Sequence, residues 1–143
     1  MTGGSGADSY VTASGSSPVA TATSLSTTIA AGDTLTFGSG IDVITDFTSG
    51  TDTVNVTGTD NGTVTSLVGL TAATNLTVNT QYYASGTFIA STGQFIISAN
   101  AGGADTLIVD SIAAGLLSAT TSAVVIVGVV SSTIVTNVVT DFS

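Results

Sequence analysis

The sequence predicts an all-β fold: a β-sandwich or a β-roll-like stack of short strands with Gly/Asp turns and little or no helix. Three observations lead there. Val, Ile and Thr dominate and are interrupted at short intervals by Gly, Asn and Asp, the pattern of short strands and tight turns. The strong helix formers Glu, Lys and Arg do not occur. A short unit also recurs in which Gly and Asp make a turn and an alternating strand follows.

The copies of that unit order the chain. The first is Gly6-Ala-Asp8-Ser-Tyr-Val11 and the second is Gly32-Asp33-Thr-Leu-Thr-Phe37. The third is Gly50-Thr-Asp52-Thr-Val-Asn-Val56, and the fourth is Gly103-Ala-Asp105-Thr-Leu-Ile-Val109. Their spacing is irregular, so a clean solenoid is not expected. A second phrase, Ile44-Thr-Asp-Phe47, returns as Val139-Thr-Asp-Phe142. Two hairpins are expected around three-residue loops ending in glycine, Thr48-Ser49-Gly50 and Ser91-Thr92-Gly93. One short helical turn is conceivable at residues 112–117. Residues 1–143 are read as a single domain, and 1–24, rich in Gly, Ser and Thr, as an N-terminal arm able to reach a neighbouring subunit.

Residues 111–140 are free of charge and include Ala123-Val-Val-Ile-Val-Gly-Val-Val130. That stretch is laced with Ser and Thr, broken by Gly115 and Gly128, and has no flanking Lys or Arg. Buried strands explain it better than a membrane span. Residues 1–6 carry no basic segment followed by an apolar core, so a cleaved leader is not expected there.

Composition narrows the chemistry. The hydrophobic fraction is 43% and the mean hydropathy is +0.61, enough to build a core. There is no Lys, Arg, His, Cys, Glu or Trp, and the net charge of −9 comes from Asp alone. Without His, Cys or Lys, no Ser–His or Cys–His pair, Schiff base or imidazole base can form. Zinc, copper and haem usually need imidazole or thiolate. A chain with no cation repels nucleic acid and anionic membrane surfaces. Carboxylates and backbone carbonyls remain, and these hard oxygen ligands suit calcium. A pair of Asp residues could serve glycoside hydrolysis, but no Trp platform accompanies it, so a non-enzyme is expected. Tyr82, Tyr83, Phe88 and Phe95 read as core or strand-edge packing. Asn55, Asn61 and Asn75 open glycosylation sequons that chance explains as well.

Two constellations are candidate metal sites. In Gly3-Gly4-Ser5-Gly6-Ala7-Asp8-Ser9-Tyr10-Val11 the glycines allow a tight turn whose carbonyls converge, and Asp8 supplies a charged oxygen. The competing reading is a glycine turn capped by Asp8. Asp42, Asp46 and Asp52 form the second constellation. Asp42 and Asp46, four residues apart on one strand face, are separated by about 13 Å. Asp46 and Asp52 would face each other at about 5 Å across the expected hairpin and call for a bridging cation; otherwise the register slips and they point apart. Asp33 and Asp105, at the equivalent place in their own units, complete the candidate ligands.

The nonapeptide matches G-G-x-G-x-D-x-U-x at every fixed position and resembles the haemolysin-type (RTX) calcium-binding family. Asp42-Val-Ile-Thr-Asp46-Phe-Thr-Ser-Gly-Thr-Asp52 looks like the segment that follows such repeats in type I-secreted proteins. Phe88 through Val109 is similar to their C-terminal secretion-associated region. The resemblance covers about a third of the chain and implies calcium ions shared between stacked repeats. This chain has one full repeat, and Asn100-Ala-Gly-Gly-Ala-Asp105 lacks the third glycine in place, so a lone copy makes half a site.

The expectation is therefore a non-catalytic, secreted structural protein of the cell surface or matrix. It would self-assemble as a filament, biofilm matrix or surface layer by strand pairing and calcium binding, its partners being copies of itself and cell-surface or matrix components. Unguarded strand edges fit this, since Lys is absent and Pro18 is the only proline. The alternative is a calcium-dependent type I secretion domain of a larger secreted enzyme or adhesin.

Overall fold

A computed structural model describes residues 1–12, 21–24, 28–37, 41–56, 64–70, 80–99, 102–111 and 121–132. Apart from helical residues 131–132, the regular elements among the described residues are strands: β1 (Ser9–Thr12), β2 (Thr21–Ser24), β3 (Thr34–Thr36), β4 (Asp42–Ile44) and β5 (Thr53–Val56). These are followed by β6 (Val64–Ser66), β7 (Gln81–Ile89), β8 (Gln94–Ile97), β9 (Asp105–Ser111) and β10 (Thr121–Ile126). The all-β expectation holds. The helical turn at 112–117, the sequons at Asn61 and Asn75 and the 139–142 echo lie outside the described residues.

Eight strands form one curled sheet in the order β2-β3-β8-β7-β9-β10-β4, with β6 beside β7. The long β7 makes this possible. Its residues 86–89 pair with β8, and Gln81–Tyr83 on the same edge pair in parallel with β6. Its other edge is antiparallel to β9, and β9 is antiparallel to β10. β4 joins the far side of β10 in parallel. The remaining two strands, β1 and β5, form a separate parallel pair.

The central strands are covered on both faces, which explains their unbroken apolar runs. Leu107, Val109, Ala123 and Val125 face one core, with Leu35, Phe37, Tyr82, Ala84, Phe95 and Ile97 from the curled sheet. Ile29 and Leu67 close that core from the connections. There the Gly69 amide donates to the Ile29 carbonyl and the Ile29 amide to the Leu70 carbonyl. Ile108, Val124 and Ile126 face the opposite way, onto Tyr10, Ile44, Phe47, Val54 and Val56. The β1–β5 pair thus lies as a second layer behind β4, β9 and β10. The run at 123–126 is a buried strand, and among the described residues no helix is long and apolar enough to cross a membrane.

The recurring Gly–Asp unit does launch strands. Gly6, Gly32, Gly50 and Gly103 all have positive φ, at 131°, 95°, 81° and 84°. β1, β3, β5 and β9 begin at or just after the following Asp. Only glycine adopts such a backbone without strain, so the unit is a reversible-hand turn followed by an extended start. The two hairpins fare differently. β7 and β8 do pair, but Ile89 lies opposite Gln94, so the loop holds four residues, not three. The Thr48-Ser49-Gly50 turn forms, with the Asp52 amide donating to the Thr48 carbonyl at 2.9 Å. Its two arms then part company: β4 joins β10 and β5 joins β1. The expected β4–β5 hairpin is therefore corrected. In these pairings Ile44, Val54 and Val56 are all fully buried.

Candidate functional site: the carboxylate clamps and the N-terminal strap

Three of the four launching aspartates are buried, Asp33 at 5%, Asp52 at 2% and Asp105 at 6% exposure. A buried carboxylate needs donors, and in a chain without basic side chains the backbone supplies them. Asp33 accepts from the Ala30 amide at 2.9 Å and closes its own turn. Asp52 accepts from the Thr48 amide at 2.8 Å and the Asp8 amide at 3.0 Å, tying the turn to β1.

Asp105 does more. Its Oδ2 accepts from the Phe88 amide at 2.8 Å and its Oδ1 from the Gly128 amide at 3.0 Å. The last β7–β9 rung pairs Gly86 with Asp105 and the last β9–β10 rung pairs Thr106 with Ile126. The carboxylate therefore extends both ladders one step beyond the end of β9. Two glycines make room beside it. A Cβ on Gly103 would lie 2.2 Å from the Gly86 carbonyl oxygen, and one on Gly86 would lie 2.2 Å from the Ile96 carbonyl oxygen and 2.4 Å from the Phe95 ring.

The nonapeptide runs as a strap across the corner between β4 and β5. The Met1 amine donates to the Val43 carbonyl, and the Thr45 amide donates to the Met1 carbonyl at 3.2 Å. Asp46 collects the rest. Its Oδ2 accepts from the Gly3 and Gly4 amides at 3.0 and 2.9 Å, and its Oδ1 accepts from the Tyr10 hydroxyl at 2.7 Å. Tyr10 in turn accepts from the Gly3 amide at 3.0 Å and packs its ring 6.2 Å from that of Phe47. The Tyr10 hydrogen bond and then the glycine amides hold the Asp46 carboxyl below the usual carboxylate range. Burial, followed by the bond to Asp46, pushes the Tyr10 phenol up to about 12.

This arrangement bears directly on the candidate ligands. Gly3 and Gly4 turn their N–H groups toward a carboxylate, the polarity of an anion nest. Asp46 and Asp52 do not face each other across a hairpin: one holds the strap and the other holds the turn and the Asp8 amide. Asp42 lies within β4 opposite Val124, and Asp46 lies beyond the end of that strand, so they do not share a strand face. Among the described residues no three acidic side chains come together at metal-binding distance. Asp8 is the exception to the clamp pattern. Its Oδ2 is shielded from solvent without a hydrogen-bond partner among the described residues, tucked under Gly3, where a Cβ would lie 2.4 Å from it. Gly6, whose position is left-handed, turns the chain into Asp8.

Sequence reasoning missed Tyr10 as the partner of Asp46, and it missed Gly86 altogether. It also missed the Thr106 hydroxyl, which donates to the Val129 carbonyl at 2.7 Å beneath the second layer. A tyrosine among the strand residues of a glycine repeat carries no local mark of a partner 36 positions away. No protein-family model matches the sequence, and neither the curated proteins nor the solved structures contain a significant match.

Proposed function

We propose that this chain is a non-catalytic extracellular structural protein that self-assembles through strand pairing, with calcium contributing at the Gly3–Asp8 loop. One observation carries the reading: the acidic groups that would otherwise suggest catalysis or a metal cluster are spent on the fold. Asp33, Asp46, Asp52 and Asp105 each accept backbone amides. The composition offers no nucleophile–base pair in their place. Sheet edges in a chain with no Lys and a single Pro lack two of the usual guards against strand addition. Calcium enters at Asp8, whose Oδ2 has no donor among the described residues. One carboxylate makes only part of a site, so another segment or copy supplies the remaining oxygens.

Electron micrographs of purified protein with calcium, and with a chelator, test this. Filaments or sheets are the expected product, reduced by the chelator. Protein that sediments as a monomer at every concentration and calcium level would remove the reading. The nonapeptide and the unpartnered Asp8 oxygen also favour a second reading, a calcium-dependent type I secretion domain. In that case calcium raises the melting temperature of a particle that stays monomeric.

A further inference from the structure

The strap and β1 together, residues 1–12, make contacts of a particular kind. Among the described residues, β1 pairs with no strand other than β5. Four residue pairs join them, from Ser9 opposite Thr53 to Thr12 opposite Val56. The strap is held by Val43, Thr45 and Asp46, and the Asp8 amide by Asp52. Tyr10 and Thr12 are the side chains inserted beneath, while Val11 is 64% exposed on the outside. Among the described residues, the strand pairing and the hydrogen bonds that the segment makes outside itself thus go to one stretch, residues 43–56, while Tyr10 packs into a cluster that also holds Ile108, Val124 and Ile126.

We propose that residues 1–12 are an exchangeable arm: in the assembled state they leave their own chain and seat on residues 43–56 of a second copy. This rests on the self-assembly reading and names the element that carries it. Three observations support it. An arm seated on another copy makes the same hydrogen bonds and buries the same Tyr10, so exchange gives up none of the local contacts. The arm is also imperfectly satisfied where it sits. Of the three buried side-chain polar atoms lacking a partner among the described residues, Asp8 Oδ2 and Thr12 Oγ1 both lie in it, the third being Gln81 Oε1. Each such group weakens the seat relative to a satisfied one and lowers the cost of lifting the arm.

The third observation is what a vacated seat demands. Lifting the arm uncovers Ile44, Phe47, Val54 and Val56, strips Asp46 of the Gly3, Gly4 and Tyr10 donors, and takes the Asp8 amide from Asp52. The segment that refills it must offer consecutive glycine amides, a tyrosine hydroxyl and no positive charge requirement. Another copy of residues 1–12 has that sequence. Eight residues of sequence, Ala13-Ser-Gly-Ser-Ser-Pro-Val-Ala20, separate β1 from β2, and a chain of that length can reach about 26–29 Å when extended. Because arm and seat are different surfaces, one-way exchange is head-to-tail and propagates into an open chain.

Disulfide trapping reads this directly, since the protein has no cysteine of its own. Ser9 and Thr53 are opposed in the β1–β5 pair, at a spacing of about 5 Å that a disulfide can bridge. Assembled Ser9→Cys/Thr53→Cys protein is oxidised and run on a denaturing, non-reducing gel. Arm exchange predicts covalently linked dimers and longer ladders; oxidation of dilute monomer predicts a single-chain product that no longer assembles until reduced. Assemblies whose cross-links are confined to single chains, or that form from locked monomer, overturn the arm and leave self-assembly standing. If unmodified protein never assembles, the underlying reading fails first. Val11→Cys/Asn55→Cys, one repeat along the same register, serves as the second variant should the first misfold.

Discussion

Replacing Asp105 with alanine should be among the most damaging single changes to this fold. The carboxylate is 6% exposed and accepts the Phe88 and Gly128 amides, which lie just past the ends of the β9 ladders. Deleting it leaves two part-buried donors without acceptors. Hydrogen bonds to a charged group contribute about 1.5–3 kcal/mol each. Releasing the buried charge offsets part of the loss, so the net destabilisation is about 3–4 kcal/mol. Against a total stability of about 5–15 kcal/mol for a domain, that is a large fraction. With a urea m value of about 2 kcal/mol/M, the midpoint falls by about 1.5–2 M. Far-UV circular dichroism and tyrosine emission follow the transition, since Trp is absent. Asp105→Asn separates charge from shape. Its carbonyl can keep one amide, but its NH2 group confronts the other donor, so about half the loss is expected. Amide exchange at Phe88 and Gly128 should accelerate in both variants. An alanine variant within about 0.5 kcal/mol of the parent, the range of an ordinary surface change, would refute the clamp argument.

Further outcomes follow from the same geometry. Gly86→Ala places a methyl group 2.2 Å from the Ile96 carbonyl oxygen and 2.4 Å from the Phe95 ring; a loss of about 2–3 kcal/mol is expected from overpacking. Gly69→Ala, where φ is +95° but nothing lies within 4 Å, should lose only about 1–2 kcal/mol; equal melting points for the two would contradict the close packing. Asp46 has its carboxyl held below the ordinary range in the folded state. Its contribution is therefore fully present above the unfolded value of about 4 and is lost as pH falls through the lower folded value. Amide exchange in residues 3–10 should rise on acidification below that point, and Asp46→Asn should remove the dependence. Tyr10, pushed up to about 12, works in the opposite sense. Its contribution is intact below about 10 and is lost as pH climbs toward the folded value, so Tyr10→Phe should abolish an alkaline step in arm protection. An arm equally protected at acid, neutral and alkaline pH would sink both assignments.

Much of the local architecture was legible in the residues. A glycine before an aspartate, followed by alternating strand formers, marked the starts of β1, β3, β5 and β9, because turn hand and extended backbone are decided within a few positions. The apolar run at 123–126 was read as a buried strand, and it is one. The Thr48-Ser49-Gly50 turn was also read correctly as a turn. Its reading as a hairpin failed because a turn fixes the direction of the next residues and not the partner they choose.

The amino-acid sequence by itself determined that the protein is all-β, that its carboxylates have no basic side chain to meet, and where the chain bends. Tertiary structure alone decided what the carboxylates meet instead. Asp46 finds Gly3, Gly4 and Tyr10 because β4 joins β10 and β5 joins β1, bringing segments some forty positions apart to one corner. The physical reason is that turns answer to short-range sterics. Strand pairing answers to how completely Ile44, Val54 and Val56 can be buried, and that depends on strands from the other end of the chain.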